Sequence, residues 1–507
     1  MNKNLFKLVH SLSKSEKRYF NLYASKWNSI NNYLKLFNCI DKTPINILLE
    51  DKAYLSNLLK NETFSKHLYR TENYLFHLIF KSLSAYYAEQ DTEIRIRHLI
   101  NMISIAVKKG LKDAAIKLIQ KAKKLALHTE QFGLLLEILD FEFNVIEIES
   151  LLKRGEILKQ KNKILKKLNT INQLYKLNHQ LNQFIVSKAI ARKSEDITFT
   201  KKIMQNHLLI DATKLSSVKA TILYYRMHTS FHYIMGNLKQ AIALFNQYIN
   251  WLEQLPKHTI QEYIGDYIGA INNFLTILNM AKKHKKEAIL LNKFKAIANK
   301  YKLTPVQSDN YYYQLYSRIL INHIAVGNFK EGTKEIPQIQ DFINKNTIDR
   351  ELEMSFNFQF ATLSMGIENY DNAISYLNTV LNIAKKGIRE DLHSYTLILN
   401  IICHFELGNL LIVKNLAKTA SIFFKKKQQL LQIEHVIIQL YGKLADAKKS
   451  DYNQLYSNAL MQITDGIEKH SFEYKAQDYF DFSSWIESKI EQKSFKEILK
   501  GKLKSEI

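Results

Sequence analysis

Apolar residues recur along this chain at helical spacing, in blocks broken at regular intervals by a short polar or glycine step. With the step residue as a phase marker, the markers are Gly110, Gly236, Lys283, Gly327, Glu368 and Gly408, at successive intervals of 126, 47, 44, 41 and 40 residues. An apolar stretch precedes each marker. Five residues after it stands a small residue, at Ala115, Ala241, Ala288, Gly332 and Ala373, with Val413 the departure. Four residues further a larger apolar side chain follows at Ile119, Phe245, Ile336 and Leu377. A small residue lets two helices approach, and a bulky one four positions on packs from the same face. Each marker therefore predicts a turn between two antiparallel helices. The first interval is three times 42 residues, which predicts two degenerate repeats within 125–235.

One phrase recurs in this register: His232-Tyr-Ile-Met-Gly236-Asn237, His323-Ile-Ala-Val-Gly327-Asn328 and His404-Phe-Glu-Leu-Gly408-Asn409. Each His stands four residues before the loop Gly, near a helix C-terminus, where an imidazole meets end carbonyls or packs on the next helix. Outside the repeats, Ser13-Lys-Ser-Glu16 has the form of a capping box opening a helix through Arg18, Tyr19, Phe20 and Tyr23. Thr43-Pro44 marks another helix start, and a long apolar helix is expected from Phe64 to Tyr87. Ser484-Trp-Ile-Glu487 and Ser494-Phe-Lys-Glu497 predict two short final helices that lay Trp485, Ile486, Phe495, Ile498 and Leu499 over the last repeat.

Composition agrees with helices. Gly (14) and Pro (4) are scarce in 507 residues, and a hydrophobic fraction of 46% is too high for disorder. Two cysteines, Cys39 and Cys403, build no disulfide framework and fit a reducing compartment. With no signal-like N-terminus and no run of 18 apolar residues, a cytoplasmic location is expected. The net charge is +24, yet only ten of the 72 basic residues are Arg. The excess concentrates in segments 1–26, 108–124, 153–167, 282–302 and 414–427. Such patches attract nucleic acid or acidic protein, or are simply solvated Lys-rich helix faces.

The most regular unit runs from Leu223 to Leu255, with Gly236-Asn237-Leu238, Ala241 and Phe245 in place. Asn369-Tyr370-Asp371-Asn372-Ala373-Ile374 repeats its second half. These residues resemble the tetratricopeptide repeat (TPR) and its longer relatives over roughly residues 92–430. The period here, 40–46 residues, exceeds the usual 34. The resemblance implies an all-α fold: a right-handed α-solenoid of antiparallel helix pairs (92–430), an N-terminal helical bundle or cap (1–91) and C-terminal helices capping the solenoid (431–507). It further implies a concave groove, lined by first helices, that binds a peptide or protein partner. The first-helix positions on that face are Arg97, Ser104, Arg226, Ser230, Tyr233, Gln314, Ser317, Phe358, Thr362 and Tyr395. They mix aromatic, hydroxyl and guanidinium groups, which suits peptide recognition. The competing expectation is that the longer repeats rotate these residues into the core. The Tyr311-Tyr312-Tyr313 run with Tyr316 divides in the same way between core and groove.

Candidate chemistry is sparse. His228 and His232 are four apart on one helix but have no evident third ligand, and Glu390-x-x-His393 occurs once where a carboxylate-bridged metal bundle needs it twice. Asp140, Glu142, Glu147 and Glu149 form the main acidic cluster, with no implied cleft to shift a pKa. No phosphate-binding glycine loop and no nucleophile elbow occurs. The expectation is a non-enzymatic interaction scaffold with no cofactor or metal. The alternatives are a nucleic-acid- or ribosome-associated factor using Lys-rich faces, and a transcriptional regulator with a DNA-binding N-terminus.

Overall fold

A computed structural model describes residues 3–25, 31–50, 54–88, 91–146, 150–188, 194–346, 348–384, 389–427, 432–469 and 475–505. Among them every regular element is a helix. The chain divides into two compact units, Met1–Asn172 and Gln173–Ile507, at a point inside one helix that coincides with neither 91/92 nor 430/431.

In the first unit, α1 (Lys3–Ser11), α2 (Lys14–Ser25), α3 (Asn31–Lys42), α4 (Ile45–Glu50), α5 (Tyr54–Leu58) and α6 (Leu68–Tyr87) share a core that includes Phe6, Phe20, Phe37, Leu75 and Ile79. The box at Ser13 opens α2: its hydroxyl accepts from the Glu16 N–H at 3.3 Å, and its own N–H donates to the Glu16 carboxylate at 2.6 Å. Tyr87 of α6 donates to the other Glu16 oxygen, so one cap residue also pins α2 to α6. A second cluster joins α7 (Thr92–Lys108), α8 (Lys112–His128), α9 (Phe132–Val145) and the start of α10 (Leu151–Lys188) through Ile103, Ile119, Leu135, Ile138 and Ile157.

The two extra repeats expected within 125–235 are absent from the described residues. The interval holds α9, the 38-residue α10, α11 (Ser194–Met204) and two short 3-10 turns instead. A second helix begins after Glu130, which takes a left-handed φ of 53° without being glycine.

The second unit is a solenoid of helix pairs. α12 (Val218–Ile234) packs on α13 (Leu238–Gln254). After α14 (Lys257–Glu262), α15 (Ile264–Met280) packs on α16 (His284–Lys295). After α17 (Ile297–Lys300), α18 (Pro305–Ala325) packs on α19 (Phe329–Lys345). Then come α20 (Arg350–Gly366) with α21 (Tyr370–Ala384), α22 (Glu390–Glu406) with α23 (Leu410–Lys427), and α24 (Gln432–Leu444) with α25 (Tyr452–Lys469). First helices α12, α15, α18, α20, α22 and α24 each also touch the next one, forming an inner layer.

The recurring phrase is the turn itself. Gly236, Gly327 and Gly408 hold φ of 70°, 67° and 77°, and the Asn N–H that follows each donates back to the His carbonyl five residues earlier, at 2.8, 2.9 and 2.9 Å. This is the six-to-one bond of a Schellman motif, with Gly in its left-handed position and His three residues from the helix end. Lys282 and Glu368 take the same place with φ of 53° and 61°, and Lys283 and Asn369 make the same bond at 2.8 and 2.9 Å. The third marker is therefore Lys282, one residue before the expected Lys283.

The C-terminal helices are α26 (Lys475–Tyr479), α27 (Phe482–Ile490) and α28 (Phe495–Ser505). α27 buries Trp485 and Ile486 against α24 and α25, with the Trp485 indole N–H donating to the Tyr441 hydroxyl at 2.8 Å. Its cap is Asp481, which accepts from the Ser484 N–H at 2.9 Å; Ser484 itself is buried inside the helix rather than opening it. The Ser494–Glu497 box does form. α28 does not lie on the last pair. It returns to the α18–α19 turn, where Phe495 stacks on Phe329 at 5.4 Å and Leu499 lies against Gly327. Phe480, Trp485 and Phe495 belong to the same continuous core as Ile222 and Phe274, so these helices are part of the repeat body.

Candidate functional site

The ten groove positions separate. Arg97 and Ser104 lie on α7 in the first unit, where Arg97 is exposed and grips Glu93 through Nη2 at 2.6 Å and Nε at 3.0 Å. In the second unit, Arg226, Ser230 and Tyr233 lie one helical turn apart on α12 and line one cavity. Ser317, Phe358 and Thr362 line another, with Phe358 and Thr362 buried. Phe358 and Thr362 sit on α20, whose C-terminal half, from Phe360 to Met365, is buried on every face. Gln314 lies outside both cavities, its Oε1 buried without a partner. Tyr395 is buried under Tyr479 of α26, rings 4.1 Å apart, and Tyr479 also donates to Asp391 at 2.8 Å. The C-terminal segment thus covers the inner face at α22. Of the tyrosine run, Tyr311, Tyr313 and Tyr316 are buried and Tyr312 is partly so.

The α12–α15 cavity encloses about 360 Å³. One wall is the Arg226–Ser230–Tyr233 face of α12. The opposite wall is the Gly265–Asp266–Gly269–Asn273 face of α15, and Asn182 and Ile185 of α10 close a third side. The two charged side chains of its lining are paired: Asp266 accepts from Arg226 at 3.4 Å, and also from Lys219 at 3.0 Å. A Cβ placed on Gly265 or Gly269 would meet no atom within 4 Å, so both glycines leave backbone open on the cavity wall. Behind them lies Tyr248 of α13, 1% exposed, its ring stacked on Tyr225 at 5.1 Å. The Tyr248 hydroxyl is buried with no hydrogen-bond partner among the described residues, and burial, reinforced by Asp266, raises its pKa far above the usual phenol value. An unmet buried hydroxyl costs about 1–3 kcal/mol, so a ligand group that satisfies it gains by the same order. Nothing in the sequence distinguished Tyr248 from an ordinary core residue, because second-helix aromatics at that phase are core.

The phased histidines His232, His323 and His404 stand on three different helices, α12, α18 and α22. Among the described residues no group of three His, Cys, Asp or Glu side chains converges as a metal site. His232, His323 and His404 are each held below the usual imidazole pKa by burial. His228 is too, its Nε2 lying 2.9 Å from the Leu209 carbonyl oxygen. His393 packs against Phe423. In the acidic cluster, Asp140 pairs with Lys161, and Glu142 with Lys123 at 2.7 Å; Glu147 and Glu149 lie outside the described residues. No described helix is long and apolar enough to cross a membrane.

These features define a helical-repeat protein, an all-α solenoid of antiparallel pairs with polar-walled cavities on its inner layer. No protein-family profile matches the chain, and no curated protein matches it. Among solved structures, the apo form of RapI is similar at 13% sequence identity and a TM-score of 0.41, over 79% of this chain and 99% of that one.

Proposed function

We propose that this chain is a non-enzymatic scaffold that binds an extended segment of a partner protein in the α12–α15 cavity. The observation that carries the reading is the buried, unpartnered Tyr248 hydroxyl behind a wall where two glycines bare helix backbone. A flat glycine face admits a peptide backbone closely, and Asn182, Asn273 and Ser230 supply both donors and acceptors along it. Tyr233 and the Arg226 stem offer apolar contact at one end. Because the lining's two charges, Arg226 and Asp266, are opposite and paired, the wall suits a neutral backbone better than a concentrated charge.

The test begins with a random displayed-peptide library panned on the full chain, followed by calorimetry with a recovered peptide. Arg226→Ala and Tyr233→Ala are each expected to weaken it by about tenfold, the loss of roughly 1.4 kcal/mol, with the unfolding midpoint little changed. Unchanged affinity in both variants refutes the assignment. Binding of homopolymeric RNA that falls steeply with salt supports the Lys-rich faces of α8, α16 and α23 instead.

A further inference from the structure

A second cavity, about 520 Å³, lies in the same unit between α15, α18, α20 and the returning C-terminal segment, and its chemistry differs. Arg318 of α18 projects into it. The Arg318 Nε donates to Asn272 Oδ1 at 2.7 Å, which fixes the plane of the guanidinium. No described carboxylate forms an ion pair with it, whereas the other strong bases on the wall are engaged. Arg389 is held by Asp391 at 2.7 Å and Lys502 by Glu487 at 2.6 Å. The compensating charge is Glu287, a buried residue of α16 already accepting from Asn279 at 3.4 Å and facing His284 at 3.3 Å. Desolvation lowers the Arg318 pKa to about 10, so the group remains charged at neutral pH. A partly desolvated guanidinium without a paired anion is costly by itself and is completed by a planar two-oxygen acceptor.

A second polar group points to the rest of the ligand. Gln359 of α20 donates its amide to the Ser317 hydroxyl at 2.9 Å, which leaves its buried Oε1 with no donor. The wall therefore offers a fixed cation and an unmet acceptor. The same cavity has apolar lining from Ile321, Ile324, Phe358 and Phe480. A cavity of this size lies in the range of small-ligand pockets. Sulfate would satisfy Arg318 but not Gln359, because it carries no hydrogen-bond donor.

We propose that this cavity binds an acylated amino-acid end: an α-carboxylate against Arg318, the adjacent amide N–H donating to Gln359 Oε1, and an apolar side chain among Ile321, Ile324 and Phe480. Two sources share this chemistry, a peptide C-terminus and a small N-acyl amino acid. The inference does not depend on the α12–α15 reading, and the ligands that test it are different.

The experiment is titration calorimetry on the full chain with N-acetyl-leucine, N-acetyl-leucinamide, and a hexapeptide ending in Leu as the free acid or the amide. Both acids are expected to bind, and each amide to bind at least about tenfold more weakly, the size of one charge-assisted bond. A hexapeptide acid that outbinds N-acetyl-leucine identifies a peptide end; equal affinities identify the small acid. Equal binding of acid and amide, or no binding of either acid, overturns the proposal, and because this comparison uses the unaltered chain it stands even where a variant fails to fold. Two variants refine it. Arg318→Lys keeps the charge but not the fork and is expected to lose about tenfold for the acids. Gln359→Met keeps the volume but not the acceptor and is expected to narrow the gap between N-acetyl-leucine and O-acetyl-leucic acid, the ester that lacks the N–H donor.

Discussion

Two pairs of helical glycines in the second unit occupy opposite environments. Gly332 and Gly366 sit where helices crowd: a Cβ on Gly366 would lie 2.1 Å from the Phe329 ring, and one on Gly332 would lie 2.5 Å from Leu363 Cδ2. Gly265 and Gly269 on α15 would meet nothing within 4 Å. A glycine inside a helix costs about 0.5–1 kcal/mol relative to alanine. Close packing offsets that cost for the first pair. For the second pair no internal contact does, and both open on the cavity that Arg226, Ser230, Tyr233 and Tyr248 line. The contrast separates glycines that packing accounts for from glycines that no internal contact accounts for.

Breaking the contrast begins with the crowded pair. Gly366→Ala drives a methyl into the buried Phe329 ring, which is itself stacked on Phe495, and overpacking of this kind costs about 1–3 kcal/mol. Urea denaturation is expected to show that loss, with a smaller one for Gly332→Ala, where the obstructing atom is the end of a Leu side chain. A midpoint for Gly366→Ala equal to the parent chain's contradicts the packing account.

Tyr248→Phe comes next. It removes the unmet hydroxyl and keeps the ring stack on Tyr225. The uncomplexed chain is expected to gain about 1 kcal/mol, while a peptide bound in the α12–α15 cavity loses affinity. The open pair gives the smaller effect: Gly265→Ala and Gly269→Ala are each expected to stabilise the chain by about 0.5–1 kcal/mol, read from the same denaturation curves.

The pH dependence is subtler. His228, His232, His323 and His404, all in the second unit, have pKa values lowered from 6.5 by burial. The unfolded chain therefore takes up protons as pH falls through 6.5 while the folded chain resists them, so stability rises with pH across that window and is lost below it. Thermal melts at pH 7.5 and 5.5 are expected to show the lower midpoint at 5.5, and the quadruple His→Gln variant to show a shallower slope.

How much of this was legible in the sequence depended on whether the cause was local. The turns at Gly110, Gly236, Gly327 and Gly408 were readable because a left-handed φ selects glycine in the residue itself. Lys282 was displaced by one position and Glu130 was missed because a non-glycine residue hides the same geometry. The 38 residues of α10 carry apolar positions on several faces, so no periodicity announced one long helix. Arg226, Ser230 and Tyr233 share a face by spacing alone, which the sequence states directly. Arg318 stands one residue past the expected Ser317, and its distinction, that no described carboxylate pairs with it, is not written in the local sequence. The return of α28 to Gly327 and the covering of Tyr395 by Tyr479 are contacts between residues more than eighty positions apart, and no local pattern encodes them.

The central claim, that the α12–α15 cavity is built for a partner segment rather than for packing, is tested most directly by measuring stability and peptide affinity together in Gly269→Leu. The side chain enters open space, so the account predicts an unfolding midpoint no lower than that of the parent chain and a loss of peptide affinity of about tenfold or more. Retained affinity with unchanged stability would contradict it.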